Sequence, residues 1–98
     1  MRAEFDKQAN AISIQLAAAD GQAVDRGDEV HSRAIVAVRA GHAVEVQILY
    51  PDEGIGEPLA AVAAQYALDR EALEAAAVSA LAAPDRSVSV ELAAAPRS

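Results

Sequence analysis

The feature that most constrains this chain is a stretch of alternating side chains, AVEVQILY, at positions 43–50. β-Branched and aromatic residues alternate there with polar ones, which is the pattern of a β-strand with one buried face. The two sets point to opposite sides of such a strand: Val44, Val46, Ile48 and Tyr50 to one side, and Glu45, Gln47 and Leu49 to the other. We expect the rest of the chain to pair with this strand or to cover it.

Four further segments carry a similar pattern of strand-forming residues. They are residues 2–6, 11–17, 33–39 and 87–93. The intervening segment 18–32 has no clear period. Val24 and Val30, which are separated by Gly27, indicate that a neighbouring strand extends into it.

The turn before the central strand is predicted from the faces that it would align. A two-residue loop at Ala40–Gly41 would place the arginines of the preceding strand on the side of the inward valines. A three-residue loop, Ala40–Gly41–His42, keeps the apolar residues together, because a shift of one residue turns every side chain to the opposite face. We therefore predict the three-residue loop. The predicted pairs are Val38 with Val44, Val36 with Val46, and Ala34 with Ile48.

Beyond residue 56 the apolar residues recur at helical spacing. Pro58 is favoured in the first turn of a helix, Asp69 is a typical N-cap for a second helix, and Pro84 ends that helix. The apolar stripes of the two predicted helices are Leu59, Val62, Ala63 and Tyr66, and then Leu73, Ala76, Ala77, Ala80 and Leu81.

These elements predict an α+β fold. An antiparallel β-meander of four to five strands carries a two-helix hairpin on one face, and a final strand follows the helices. With 98 residues the chain is a single domain, 1–98, made of the meander (1–50), the helical hairpin (57–83) and the last strand (87–93). The hairpin returns the chain to the end of the sheet where it left, so the last strand should run antiparallel to the central one.

Charge and composition limit the classes of function. The formal charge of −7 disfavours nucleic acid and anionic membranes, which both select basic surfaces. A DNA-binding helix-turn-helix in the helical hairpin is an alternative, although its second helix is acidic. Cysteine is absent, which excludes disulfides and thiolate metal sites. With no secretory signal and no apolar run of membrane-spanning length, we expect a cytoplasmic protein.

The first half of the chain, through Leu49, resembles the bacterial family that carries the domain of unknown function 2283. The resemblance lies in FDKQANAISIQL at 5–16, Ile35-Val36, and VEVQIL at 44–49. It implies a β-meander and names no activity. Some relatives are encoded beside small toxin-like proteins, so the resemblance also implies a partner-binding role. The chain departs from the family pattern at Gln8, at Glu45 and at residues 37–39, so acidic family positions are not carried over.

The residues that could support chemistry are few. The serines lack an adjacent, oriented base, and no glycine-rich phosphate loop is present, so we predict neither an enzyme nor a cofactor. His31 and His42, with Asp28 or Glu29, would form the alternative, a metal or small-ligand site, but two solvated loop histidines are the simpler interpretation. The acidic segment 20–29 does not match the ligand spacing of a calcium loop.

The outward side of the sheet is the predicted functional surface. The chosen register places Ile35 opposite Gln47, with Ile35 and Leu49 as apolar residues on an otherwise polar face. We predict that Ile35, Glu45, Gln47 and Leu49 face a partner, across this face or through an exposed edge strand. The predicted function is a noncatalytic protein-interaction module. Its predicted partners are copies of itself or, in an antitoxin-like role, a small basic protein.

Overall fold

The computed structural model describes residues 1–16 and 24–89. Within these ranges a six-stranded antiparallel sheet packs against two helices, which confirms the α+β class with one strand more than predicted. The strands are β1 (Arg2–Asp6), β2 (Ala11–Gln15), β3 (Arg26–His31), β4 (Ala34–Arg39), β5 (His42–Leu49) and β6 (Ser87–Ser89). The helices are α1 (Gly56–Tyr66) and α2 (Arg70–Leu81), preceded by a 3₁₀ turn at Pro51–Glu53.

The strand order is β3-β4-β5-β2-β1-β6, and all neighbours are antiparallel. The central stretch of the sequence, β5, lies inside the sheet between β4 and β2. Since β2 neighbours β5 rather than β3, the order differs from that of an uninterrupted meander. The last strand, β6, pairs with β1 and runs antiparallel to β5, in the predicted direction. The part of the predicted strand at 90–93 lies outside the described residues.

The predicted three-residue turn before β5 was wrong. Arg39 pairs with His42 across a two-residue turn, Ala40–Gly41. Both turn residues have positive φ, 52° and 79°, as in the type I′ turn that suits a right-twisted hairpin. His42 therefore belongs to β5.

A β-bulge brings the apolar side chains of β4 and β5 to the same face, as the predicted longer loop would have done. The register shifts between Ala37 and Val38, so that Val38 lies opposite Ala43 instead of the predicted Val44. A bulge inserts one extra residue on one strand and returns the following side chains to the correct face. The other predicted pairs, Val36 with Val46 and Ala34 with Ile48, are confirmed.

The core lies between the inner face of the sheet and the two helices. It contains Ile12, Ile14, Val36, Val46 and Ile48 from the strands, and Leu59, Val62, Leu73, Ala76, Ala77 and Ala80 from the helices. These side chains are almost completely buried, and the alanines of α2 allow the helix to approach the sheet closely. Tyr66 and Leu81, from the predicted stripes, are only partly buried.

The helix boundaries follow identifiable local signals. Asp69 is the N-cap of α2, as predicted: its Oδ1 accepts from the amides of Glu71 and Ala72, at 3.0 and 3.2 Å. This cap satisfies amides that have no partner within the helix. α2 ends at Leu81, before the predicted end of the hairpin at residue 83.

Gly54 and Gly56 provide a matched pair of tests for the loop between β5 and α1. Gly54 has φ 112°, where a side chain is strained, whereas Gly56 lacks positive φ and has open space around its Cβ position. We expect Gly54→Ala to lower the free energy of unfolding by about 1–3 kcal/mol. Gly56→Ala should raise it by about 0.4–1 kcal/mol, because alanine restricts the unfolded chain. Urea denaturation measures both, and similar effects at the two positions would contradict this loop geometry.

Candidate functional site

One side of the sheet faces away from both described helices. Paired residues on neighbouring strands share a side, so the registers identify its members. We call it the open face; it includes Gly27 and Glu29 of β3, Ile35 and Ala37 of β4, Glu45, Gln47 and Leu49 of β5, Ala11, Ser13 and Gln15 of β2, Arg2, Glu4 and Asp6 of β1, and Ser87 and Ser89 of β6.

The four residues predicted to face a partner lie together on the open face. Ile35 pairs with Gln47, and Glu45 pairs with Ala37, as predicted. The amide of Leu49 donates to the carbonyl of Arg33 at 2.8 Å, which continues the same register beyond β4. The four residues therefore share one side of the sheet, and their contact with a partner stays a prediction.

The apolar residues of the open face are partly shielded by their own sheet. Ile35 and Leu49 are half-buried. The Cγ2 atom of Ile35 lies 3.6 Å from the position that a Cβ of Gly27 would occupy, so Ile35 lies close to β3. A shallow cavity of about 90 Å³ is lined by Ile35, Ala37, Glu45 and Gln47. The centre of the face is thus a small apolar depression bordered by a carboxylate and an amide.

A second, larger cavity lies over the opposite half of the open face. It has a volume of about 290 Å³. Its depth follows from β2, whose outward residues Ala11 and Ser13 are small. The residues that line it are Arg2, Ala3, Glu4, Ser13, Gln15 and Ser87.

A polar cluster that the sequence did not predict joins β3 to α1. The hydroxyl of Tyr66 donates to a carboxylate oxygen of Asp28, and the Nε of Arg26 donates to the other at 3.0 Å. The bond from Tyr66, with that from Arg26, holds the pKa of Asp28 below its ordinary value. The same bond raises the pKa of Tyr66, and Asp28 raises the pKa of Arg26. The signal that could have revealed it is the general need of a partly buried tyrosine hydroxyl for a partner.

The two histidines do not form a joint metal site. His31 pairs with Ala34 and His42 with Arg39, at opposite ends of β4, which places them roughly 17 Å apart. The Nδ1 of His31 accepts from the amide of Arg33 at 3.1 Å, while its Nε2 lies 3.3 Å from Glu57. No group of three potential metal-ligating side chains occurs in residues 1–16 and 24–89.

The helical hairpin is used to cover the core. The buried stripe of α2 packs against β1 and β2. Its exposed surface includes Glu71 and Val78, and Arg70 pairs with Glu74 at 3.7 Å. This surface lacks the excess of basic groups on which DNA affinity depends. Neither α1 nor α2 has the length and apolar character that a membrane crossing requires.

The hydrogen bond between Tyr66 and Asp28 predicts that the stability of the wild type differs most from that of Tyr66→Phe within a limited range of pH. Because the folded-state pKa of Asp28 is lowered, its contribution is present above about pH 4 and lost as the pH falls through the folded value. Because the pKa of Tyr66 is raised, its contribution is complete below about pH 10 and lost as the pH rises through the folded value. We therefore expect Tyr66→Phe to destabilise the protein between these limits, and the difference from the wild type to shrink as the pH falls through the folded-state value of Asp28 or rises through that of Tyr66.

The matched control is Tyr50→Phe, because Tyr50 is 51% exposed. Denaturant unfolding of the wild type and both variants at several pH values measures the differences. A pH-independent difference for Tyr66→Phe, or an equal effect of Tyr50→Phe, would contradict the assigned bond.

Comparison of the chain with protein-family models, with curated proteins and with solved structures found no match. The resemblance of the first half of the chain to the domain of unknown function 2283 therefore stays a prediction.

Proposed function

We propose that this chain is a noncatalytic, cytoplasmic protein-interaction module that binds its partner through the open face. The observation that carries the proposal is the asymmetry of the sheet. Its inner face is buried under α1 and α2, while the open face presents the half-buried Ile35 and Leu49 beside Glu45 and Gln47. Protein interfaces usually combine apolar contact area with polar groups, and Ile35 and Leu49 supply apolar area among the polar residues of this face.

The edges of the sheet are less suited to association than its face. The edge strand β3 carries Asp28 and Glu29, and its register shifts between Glu29 and His31. Charged side chains and bulges are features that prevent edge-to-edge pairing. The described part of β6, Ser87–Ser89, presents only a short edge. These features favour the open face over strand addition.

The pKa shifts of Asp28 and Tyr66, in the polar cluster between β3 and α1, support a noncatalytic function. A general acid or base works best with a pKa near the operating pH. Asp28 and Tyr66 have pKa values displaced away from neutrality, downward and upward, by the bond that joins them. Their geometry joins β3 to α1 and serves the fold.

The partner class follows from charge. A chain with a formal charge of −7 repels acidic partners and accelerates its encounter with basic ones. A small basic protein, with this chain in an antitoxin-like role, is one candidate partner. A second copy of the chain is the other, provided that the interface brings opposite charges together.

The proposal is tested by comparing Ile35→Lys, on the open face, with Val78→Lys, on α2. Val78 is 58% exposed and lies in the helix layer, so it provides a matched loss of surface apolar area away from the proposed site. We expect the wild type to associate with itself or with a copurifying protein. Ile35→Lys should weaken that association at least about tenfold, because it buries a charge at the interface, and Val78→Lys should leave it unchanged.

Analytical ultracentrifugation of the purified protein and affinity copurification from the source cells measure this association. Thermal unfolding of both variants controls for loss of fold. A wild type that stays monomeric and alone, or equal behaviour of the two variants, would exclude the open face as the binding surface.

A further inference from the structure

We propose that the open face binds a second copy of this chain, in a symmetric dimer whose two-fold axis runs along β2. The proposal rests on the proposed function, since it names the partner of the same surface. It follows from how the side chains of the open face are distributed on the two sides of β2.

β2 lies between β5 and β1, and its two flanks carry complementary groups. Gln15 pairs with Glu45 on one side and with Arg2 on the other. We call each row of paired residues across the sheet a level. At the next level, two residues along β2, Ser13 pairs with Gln47 on one side and with Glu4 on the other. On the open face, a carboxylate and a guanidinium therefore lie on the two sides of Gln15. An amide and a carboxylate lie on the two sides of Ser13.

A two-fold axis exchanges these flanks. In an isologous interface each contact occurs twice, with the partners reversed. When the axis lies between two stacked sheets and runs along β2, the β5 flank of one copy faces the β1 flank of the other at the same level. Glu45 then faces Arg2 of the second copy, and the amide of Gln47 faces Glu4, each of them twice.

The strand on the axis has room for its own copy. Stacked sheets pack roughly 10 Å apart. The outward side chains of β2 that meet across the axis are the small Ser13 and the longer Gln15, since Ala11 is only 6% exposed. The cavity of about 290 Å³ beside them is lined by Arg2, Glu4 and Gln15, among others. Side chains of a second copy would fill this space.

The charged side chains that the dimer needs take part in none of the salt bridges found in the described parts of the chain. Salt bridges within residues 1–16 and 24–89 include those of Arg26, His31, Arg33 and Arg70, and none of these four involves Arg2, Glu4 or Glu45. Arg2 and Glu4 are exposed in the single chain.

At the third level of β2, Leu49 of one copy faces Asp6 of the other. Asp6 is already turned toward its own hairpin, where its Oδ1 accepts from the amides of Gln8 and Ala9 at 3.1 Å. Its carboxylate is therefore partly neutralised by hydrogen bonds before the copies meet, which reduces the cost of placing an apolar side chain against it.

Other partners and other axes fit the charges less well. An axis along β5 would place Glu45 against Glu45 of the second copy, and like charges in contact oppose association. A basic partner protein would be attracted by the carboxylates of the open face, which include Asp6 and Glu29, but it would leave Arg2 without a carboxylate partner. Since each copy carries a charge of −7, self-association requires an interface that pairs opposite charges, and the axis along β2 does so.

The size of the sheet limits the affinity. With the axis along β2, five of the six described strands overlap; about 4.8 Å apart and about five residues long, they give the interface a footprint of roughly 24 by 17 Å. This is smaller than the contact area of a typical stable complex, about 800 Å² on each partner. We therefore expect a weak, reversible dimer, whose dissociation constant responds clearly to single substitutions.

The test is a charge exchange between Arg2 and Glu45, read by sedimentation velocity of the purified chain over a concentration series. Arg2→Glu and Glu45→Arg each place two like-charged contacts in the dimer, so each should raise the dissociation constant at least about tenfold. The double variant restores the pairs in reversed order and should return to within about threefold of the wild type.

The two single variants change the net charge in opposite directions, so a specific contact can be told from a nonspecific effect of net charge on association. Arg2→Glu makes the chain more negative and Glu45→Arg makes it less negative, while the double variant keeps the native charge of −7. Weakening by both single variants with recovery in the double variant supports the dimer. A change that follows net charge, a double variant that stays weak, or a wild type that is monomeric throughout overturns it.

The failure of this dimer can be told from the failure of the proposed function. If the wild type is monomeric but copurifies with another protein that Ile35→Lys releases and Val78→Lys retains, the dimer is wrong and the open face remains the binding surface. If Ile35→Lys and Val78→Lys behave alike, the binding surface itself is wrong. Circular dichroism of the charge-exchange variants controls for folding.

Discussion

Burial of Val46 and Ile48 beneath the helices is the interaction on which the rest of the structure depends. Both side chains are fully buried on β5, which pairs with β4 on one side and β2 on the other. Because paired residues share a face, β5 determines which sides of its neighbours turn toward the core. The same constraint leaves Glu45, Gln47 and Leu49 outside. The core and the candidate binding surface are therefore two consequences of one alternating strand.

Much of this arrangement could be predicted from local patterns. A period of two identifies the inner face of a strand, and the pairing of Val36 with Val46 follows from matching two such faces. The turn before β5 could not be deduced in the same way, because a longer loop and a β-bulge align the faces equally well. The structure has the bulge, which allows the two-residue Ala40–Gly41 turn.

The parts that sequence reasoning missed depend on contacts between distant segments. β3 lacks an apolar alternation because it is an edge strand, and its inward Asp28 is satisfied by Tyr66 of α1. The pairing of β2 with β5 joins segments separated by the whole of β3 and β4, and no local pattern specifies it. Without that pairing, Arg2 and Glu45 could not be recognised as the two flanks of one surface, although Glu45 itself was predicted to face a partner.

The central claim is that the open face is the surface that the protein uses, and methyl NMR with a soluble paramagnetic probe tests it directly. The probe attenuates signals of methyl groups that solvent reaches, so Leu49 and Ile35 report on the open face while Val78 reports on the helix layer. In the associated protein the account predicts that Leu49 and Ile35 become protected as concentration rises, whereas Val78 stays attenuated. Protection of Val78 with continued attenuation of Leu49 and Ile35 would contradict it.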